Sequence, residues 1–211
     1  MHKNDVPIII PVKGKSVRCP NKNAILLPYV LSTLPTTLLQ NTYVVTDDKT
    51  MEGIACYYGA QIFKENREEK DSDITAVKKA AEHIGSEWVV FWTVTTPFKS
   101  PLLYFSMIEE IDDNTDIIFT TRKVSDRSIY YVNNGDWLVS DVERKGVNCP
   151  ERIMADGAAY AIRSNWLSGV NGNYGFWNRG KKKFVLNNTP FYVDVDTPDD
   201  LQRFQILKDI I

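Results

Sequence analysis

The sequence lacks several features that mark large classes of protein. It has only two histidines, and its three cysteines (Cys19, Cys56 and Cys149) show no metal-ligand spacing, so we expect reduced thiols in a cytoplasmic protein. No apolar run approaches the ~20 residues that cross a membrane, and no signal-peptide pattern opens the chain. Positive charge is not in excess, with 25 lysines and arginines against 27 aspartates and glutamates. These absences argue against both a membrane and a nucleic acid as partners.

The residues that are present predict a single α/β domain over residues 1–211. Short apolar strands alternate with amphipathic helices over the first two thirds, which is typical of a mainly parallel, mixed, Rossmann-like sheet with helices on both faces. The predicted strands are residues 6–12, 43–46, 62–63, 88–94, 116–121, 157–162, 184–186 and 191–195. The predicted helices are residues 49–58, 74–84, 102–111 and 198–211, with a helix broken at Pro28 and Pro35 after the first strand.

One pair of residues predicts a feature outside this sheet. Asn134-Gly135 stands between two β-prone runs, which is a strong signal for a two-residue hairpin turn. We therefore expect a protruding β-hairpin within an arm of about residues 126–155.

A cluster of positive charge follows the first strand, although the chain as a whole is slightly acidic. Lys13, Lys15, Arg18 and Lys22 lie within the segment "VKGKSVRCPNK", where Gly14 and Ser16 permit tight turns. Ligands of such sheets collect at the carboxyl ends of the strands, and successive amides in a turn can hold an anion. A phosphate site is one interpretation and a solvated loop is the other. The segment is not a P-loop, because the Gly-Lys-Ser/Thr ending is missing.

Two carboxylates near the C-terminus form a second candidate site. In "YVDVDTPDDL", strand alternation would place Asp194 and Asp196 on one face, where they repel each other unless a cation lies between them. Mg²⁺, which prefers carboxylate, phosphate and water oxygens, is the favoured ion. The alternative is one exposed carboxylate beside another in a salt bridge. The four residues that follow are explained by helix initiation: Thr197 as N-cap, then Pro198 and two acids.

Five segments, in the correct order, resemble the cytidylyltransferases that activate acidic sugars, the CMP-sialic acid synthetase (CMP-N-acylneuraminate cytidylyltransferase) family. The first is "PVKGKSVRCPNKN", in which Pro11, Gly14, Ser16, Pro20, Lys22 and Asn23 match the family motif. The others are "VVTDDKTMEGIACYYGAQIF", "FWTVTTPFKSP", "DGAAYAI" and "VDVDTPDDL". The resemblance implies a nucleotidyltransferase fold, a homodimer and a role in cell-surface polysaccharide biosynthesis.

The resemblance also implies a reaction and residues for it. CMP would pass from CTP to a hydroxyl of an acidic, sialic-acid-like sugar with Mg²⁺ as cofactor, and pyrophosphate would leave; since the substrate hydroxyl is the nucleophile, no catalytic triad is needed. The expected nucleotide-binding residues are Pro11, Lys13, Gly14, Lys15, Ser16, Arg18, Lys22, Asn23 and Asp47, although Asp47 and Asp48 could equally cap the next helix. The expected catalytic residues are Lys13, Arg18, Asp194 and Asp196, the last two as metal ligands, and the expected acceptor-binding residues are Thr93, Thr95, Lys99 and Asp156.

The sequence departs from the family most on the acceptor side. Thr93 replaces a Gln, Val94 a Pro and Asp156 an Asn, so the acceptor could be an unusual sugar acid or another hydroxylated or phosphonate-bearing acid. Two other functions stay open: a glycosyltransferase that uses a sugar nucleotide, and a non-catalytic relative that binds a nucleotide or a protein. Three arginines are reasonable partners for an acceptor carboxylate, and the sequence does not rank them: Arg122, Arg152 and Arg163.

Overall fold

The chain is described by a computed structural model over residues 6–65, 72–123, 130–133, 136–139, 153–170 and 179–210. Within these residues the strands are β1 (Ile8–Pro11), β2 (Thr42–Thr46), β3 (Gln61–Lys64), β4 (Trp88–Trp92), β5 (Ile117–Lys123), β6 (Tyr130–Asn133), β7 (Asp136–Val139), β8 (Ile153–Arg163) and β9 (Lys182–Leu186). The helices are α1 (Lys22–Thr33), α2 (Thr36–Leu39), α3 (Lys49–Tyr58), α4 (Asp73–Ile84), α5 (Leu102–Glu109), α6 (Ser164–Ser168) and α7 (Pro198–Lys208).

Seven of the described strands form one mixed sheet in the order β3-β2-β1-β4-β8-β5-β9. Every neighbouring pair is parallel except those of β8, which runs antiparallel to β4 and β5. The C-terminal ends of the parallel strands therefore lie along one edge of the sheet, together with the start of β8. We call this the carboxyl edge, and it is where an α/β sheet usually binds its ligand.

Helices cover both faces of the sheet, as the alternating pattern predicted. On β1, Ile8 and Ile10 pack into a core cluster with α1, α3, α5 and α7, whereas Ile9 faces a second cluster formed with α4 and α6. All five residues of β4 are buried, which accounts for its continuous apolar sequence. The predicted α/β fold is confirmed.

Local sequence signals set several helix ends. The Asp48 side chain accepts hydrogen bonds from two amides at the start of α3, and Gly59 ends that helix in the left-handed conformation. Thr197 and Asp200 form a capping box at the start of α7 with Pro198 in the first turn, so the helix-initiation interpretation is confirmed.

The structure corrects two predictions about secondary structure. Residues 191–196 were predicted to contain a strand, but the structure has none there. Val193 and Val195 are buried because the segment crosses the carboxyl edge. The Val195 amide donates a hydrogen bond to the Thr95 carbonyl at this edge. Pro28 does not break α1, because burial of neighbours such as Leu27 and Leu31 outweighs its cost of about 3 kcal/mol.

Other predictions are covered only in part by the described residues. Strands β6 and β7 pair antiparallel with Asn133 opposite Asp136, as a hairpin requires, but the turn between them and most of the arm lie outside those residues. Cys19 and Cys56 are free thiols, and Cys149 lies outside as well. Across the described helices, none combines the length and apolarity needed to cross a bilayer.

Candidate active site

The predicted site residues gather along the carboxyl edge. The basic loop (residues 13–23) follows β1, and its last two residues begin α1. Residues 93–99 follow β4, and Asp156 lies in the first half of β8. The acidic segment (residues 191–196) crosses above these strand ends. The fold thus brings four distant parts of the sequence to one place.

The basic loop is held inward at both ends and presents cations outward between them. The Asn23 amide nitrogen donates to the Lys13 carbonyl at 2.7 Å, and the Cys19 amide donates to Ser16 Oγ at 3.4 Å. Lys15 and Arg18 lie between these contacts and are exposed. Asn23 Oδ1 is buried and finds no hydrogen-bond partner among the described residues. An anion that approached the loop would meet exposed positive charge first.

Gly14 makes the closest approach in this loop. A Cβ placed on it would lie 2.1 Å from Asp48 Oδ2, and the same carboxylate caps α3 through the amides of Thr50 and Met51 at 2.9 and 3.1 Å. Asp48 is therefore the capping residue of the two acids that end β2. Asp47 is exposed beside it, and its predicted nucleotide contact stays a prediction.

Gly14→Ala is expected to destabilise the protein by about 1 kcal/mol, because the new methyl group must displace the Asp48 cap. It should also reduce the stabilisation given by a bound nucleotide. Gly53→Ala is the control: a Cβ there meets nothing within 4 Å, and alanine in mid-helix should add about 0.5–1 kcal/mol. Urea unfolding measures both changes. Equal stabilities for the two variants would contradict the contact.

The basic loop and the acidic segment are joined through Asp196. Arg18 contacts both carboxylate oxygens at 3.0 Å, and Lys22 Nζ contacts Oδ1 at 3.1 Å and the Val195 carbonyl at 2.5 Å. Lys22 is 6% exposed, whereas Arg18 lies at the surface. The alternative interpretation, a carboxylate in a salt bridge, is therefore what the protein side chains form by themselves. The Lys22 ammonium group thus contacts Asp196, and its predicted contact with the nucleotide stays a prediction.

The surroundings of Asp194 disfavour its negative charge, because they raise the pKa of its carboxyl group. Partial burial is the largest influence that raises its pKa and the neighbouring Asp196 adds to it, while a hydrogen bond from Thr95 acts in the other direction. A divalent cation between the carboxylates would offset both the burial of Asp194 and its repulsion by Asp196. Within the described residues, no group of three or more His, Cys, Asp or Glu side chains could hold a metal ion. Mg²⁺ commonly takes only one or two carboxylates and completes its shell with phosphate and water, so this pair fits that ion.

Two of the predicted acceptor residues, Thr93 and Lys99, use their polar groups in hydrogen bonds within the loop after β4 or to β8. Thr93 Oγ1 lies 2.5 Å from Thr96 Oγ1 and donates toward the carbonyls of Gly157 and Ala158, both at 2.9 Å. Lys99 is 5% exposed and donates to the carbonyls of Thr93 and Thr96 at 2.5 and 2.6 Å. Both side chains hold the backbone of this part of the carboxyl edge in place. Their predicted contact with an acceptor stays a prediction.

Asp156 lies in β8, next to the carbonyls that accept from Thr93, and is 2% exposed. One carboxylate oxygen accepts from the Thr120 hydroxyl and from the Ala158 amide at 3.0 Å, and the other accepts from Asn187 Nδ2 at 2.8 Å. The Tyr192 hydroxyl donates to the Asp156 carbonyl at 2.9 Å. Asp156 thus joins β5, β8 and the acidic segment. Sequence reasoning missed its partners, because no short-range pattern marks them.

The buried Lys99 predicts a dependence of stability on pH. Burial lowers its pKa to about 7, with partial opposition from Asp156 and Asp194, whereas an unfolded lysine titrates near 10.5. Between these values the unfolded chain binds the proton that the folded protein releases, so the contribution of Lys99 to the free energy of unfolding rises with pH. Relative to Lys99→Met, the wild type should gain about 1 kcal/mol per pH unit from pH 7 to 9 in urea unfolding. Parallel curves for wild type, Lys99→Met and the surface control Lys208→Met would contradict this.

The structure ranks the arginines that the sequence could not. Arg163 lies at the opposite edge, where its guanidinium stacks 4.9 Å from the Trp88 ring and pairs with Glu87 at 2.9 Å. Arg122 lies at the carboxyl edge, with its guanidinium 4.3 Å from the Tyr192 ring. Arg152 lies outside the described residues.

Comparison with known proteins identifies the fold. No protein-family model and no curated relative matches the chain. Among solved structures, CMP:2-keto-3-deoxy-manno-octonic acid synthetase complexed with CTP superposes with a TM-score of 0.70 at 17% identity, covering 97% of this chain and 98% of that one. This is the nucleotidyltransferase fold. A cytidylyltransferase from Leptospira borgpetersenii (TM-score 0.67, 15% identity, 98% of this chain, 87% of that one) shares it. So does 4-diphosphocytidyl-2C-methyl-D-erythritol synthase from Anaerococcus prevotii (0.64, 15%, 97% and 99%).

Several of these structural neighbours are cytidylyltransferases, but at identities of 17% or less the likeness shows the fold alone. The assignment to the sialic-acid branch is finer than these neighbours support and stays a prediction.

Proposed function

We propose that the protein is a nucleotidyltransferase that moves CMP from CTP to a hydroxyl of an acidic sugar or a related acid, with release of pyrophosphate. The observation that carries this proposal is the contact of Arg18 and Lys22 with Asp196. It brings a cationic loop suited to a triphosphate against a carboxylate pair suited to Mg²⁺, at the edge where this fold binds ligands. Solved structures that are cytidylyltransferases, one of them complexed with CTP, support the choice of nucleotide.

The chemistry requires alignment of the reactants and neutralisation of the phosphate charge more than it requires a protein nucleophile. The acceptor hydroxyl oxygen forms a bond to the α-phosphorus, the bond from that phosphorus to the pyrophosphate oxygen breaks, and the hydroxyl proton is released. Lys13, Lys15 and Arg18 stabilise the charge that develops on the leaving pyrophosphate. Asn23, which holds the Lys13 carbonyl, fixes the loop beside the nucleotide.

Asp194 and Asp196 are the residues that would hold Mg²⁺, and the ion would neutralise the phosphate oxygens. Lys22 acts on this pair from beneath: its amine holds the Val195 carbonyl and one oxygen of Asp196. It is a positioning residue, since burial keeps it from the exposed part of the loop. A homodimer built through the arm, a sialic-acid-like acceptor and a cytoplasmic location are further parts of this proposal.

The first test is thermal unfolding with CTP, UTP, GTP and ATP, each with and without Mg²⁺. A ligand at a hundred times its dissociation constant stabilises by about 2.7 kcal/mol, and at about 2–4 °C per kcal/mol the midpoint should rise by roughly 5–11 °C. Selective stabilisation by CTP, followed by pyrophosphate release with an acidic acceptor, is the expected result.

The other outcomes separate the rival functions. Release of a nucleoside diphosphate from a sugar nucleotide would identify a glycosyltransferase. Binding of CTP without turnover across acidic acceptors would identify a non-catalytic relative. The absence of stabilisation by any nucleotide would overturn the proposal.

A further inference from the structure

Arg122 lies on the acceptor side of the candidate site. It is near the C-terminal end of β5, opposite Met154 of β8, and therefore at the carboxyl edge. From β1, where the basic loop begins, the sheet order leads through β4 and β8 to β5. Three strand spacings amount to roughly 14 Å. Arg122 is thus separated from the triphosphate loop but lies along the same edge.

The guanidinium of Arg122 is held in place by stacking, and the described residues give its Nε no hydrogen-bond partner and the side chain no ion pair. It stacks on the Tyr192 ring at 4.3 Å, and the Tyr192 hydroxyl is itself fixed to the Asp156 carbonyl. Its Nε is buried without a hydrogen-bond partner, and no described carboxylate forms an ion pair with it. Arg163 shows the opposite situation, with the Glu87 carboxylate and two carbonyls as partners.

Other cationic side chains at the carboxyl edge have hydrogen-bond or ion-pair partners. Lys99 donates to the carbonyls of Thr93 and Thr96, and Asp196 is paired with Arg18 and Lys22. Arg122 differs from Arg18 and Lys22, because no carboxylate of the described residues forms an ion pair with it.

We propose that Arg122 binds the acidic group of the acceptor. A carboxylate or a phosphate can accept two parallel hydrogen bonds from the side of a guanidinium, including one from Nε, and would supply the missing anion. The inference rests on the proposed function, since the acceptor is the second substrate of that reaction. It assigns acceptor specificity to Arg122, whose guanidinium is positioned by stacking on the Tyr192 ring.

The test compares Arg122→Gln and Arg122→Lys with Arg163→Gln, the matched control at the opposite edge. Pyrophosphate release from CTP is followed with 2-keto-3-deoxy-manno-octonic acid and N-acetylneuraminic acid as carboxylates, D-erythritol 4-phosphate as a phosphate, and erythritol and mannitol as neutral polyols. Turnover is expected with a carboxylate or the phosphate and not with the neutral polyols. Whether a carboxylate or the phosphate is used identifies the kind of acidic group.

Arg122→Gln should raise the acceptor KM about 10- to 150-fold and leave the KM for CTP within twofold, because hydrogen bonds to a charged group are lost only on the acceptor side. Arg122→Lys should lie between, since it keeps charge but not the planar pair of donors, and it serves as the test if the glutamine variant fails to fold. Arg163→Gln should leave both KM values within twofold.

The outcomes distinguish this inference from the proposed function. If an acid turns over and its KM is unchanged in Arg122→Gln and Arg122→Lys, the role of Arg122 is overturned and the nucleotidyltransferase stands. Turnover of the neutral polyols as good as that of the acids also overturns it. If CTP neither stabilises the protein nor yields pyrophosphate with any probe, the proposed function falls, and the role of Arg122 falls with it.

Discussion

Exchanging Asp196 for asparagine is expected to lower pyrophosphate release from CTP about a thousandfold while the protein stays folded. The change preserves shape and removes one of the two negative charges proposed to hold Mg²⁺. Loss of one preorganised electrostatic group at a reacting phosphate typically costs this much in rate. The stability cost should be small, because the Arg18 contact lies at the surface and Lys22 keeps the Val195 carbonyl.

The measurement has two parts and one control. Pyrophosphate release reports the rate, and thermal unfolding with CTP reports how much of the stabilisation depends on Mg²⁺; both the rate and the Mg²⁺-dependent part should fall in Asp196→Asn. Asp199→Asn removes a charge of the same kind from the exposed first turn of α7 and should leave both unchanged. Full activity in Asp196→Asn would remove the metal role from this residue.

Lys22→Met is expected to have the second largest effect, on stability as well as activity. The methionine fills much of the same space, but the Val195 carbonyl and one Asp196 oxygen lose a donor that is only 6% exposed. An unmet buried acceptor costs about 1–3 kcal/mol, so the free energy of unfolding should fall by about 2 kcal/mol and the unfolding temperature by roughly 4–8 °C. Pyrophosphate release should also fall, because Asp196 is no longer positioned from beneath.

Lys15→Met provides the comparison for Lys22→Met. Lys15 belongs to the same loop but is exposed, so its replacement should weaken CTP binding and leave the stability of the free protein within about 0.5 kcal/mol. Urea unfolding separates the two variants without any ligand. If Lys22→Met were as stable as the wild type, the contact between the loop and the acidic segment would carry no energetic weight.

The fold could be predicted where local signals agree with one another. The bounds of α3 follow from helical spacing between Asp48, which caps it, and Gly59, which ends it, and both signals lie within a dozen residues. The continuous apolar run of β4 predicts burial on both faces for the same reason. Such features depend on neighbours in the sequence, so the sequence displays them directly.

The site was less predictable because its decisive contacts are distant in the chain. Lys22 and Asp196 are 174 residues apart, and Asp156 takes hydrogen bonds from Thr120 and Asn187, on β5 and just after β9. The acidic segment shows why pattern alone misleads: alternation of buried and exposed residues suits a strand, yet packing over the strand ends produces it without a sheet partner. The sequence could name the residues but not their partners.

The contact between Lys22 and Asp196 also has a consequence for synthesis on the ribosome. Strands β1 to β4 and the helices between them emerge first and can pair as soon as they are free, since domains tend to form from the N-terminus during translation. Asp194 and Asp196 are synthesised only after β9, so the basic loop has no acidic partner from this segment during most of translation. If the proposed function is right, the ability to bind a metal-bound nucleotide is acquired late, and a nascent chain arrested before residue 191 should contain most of the sheet without a working site.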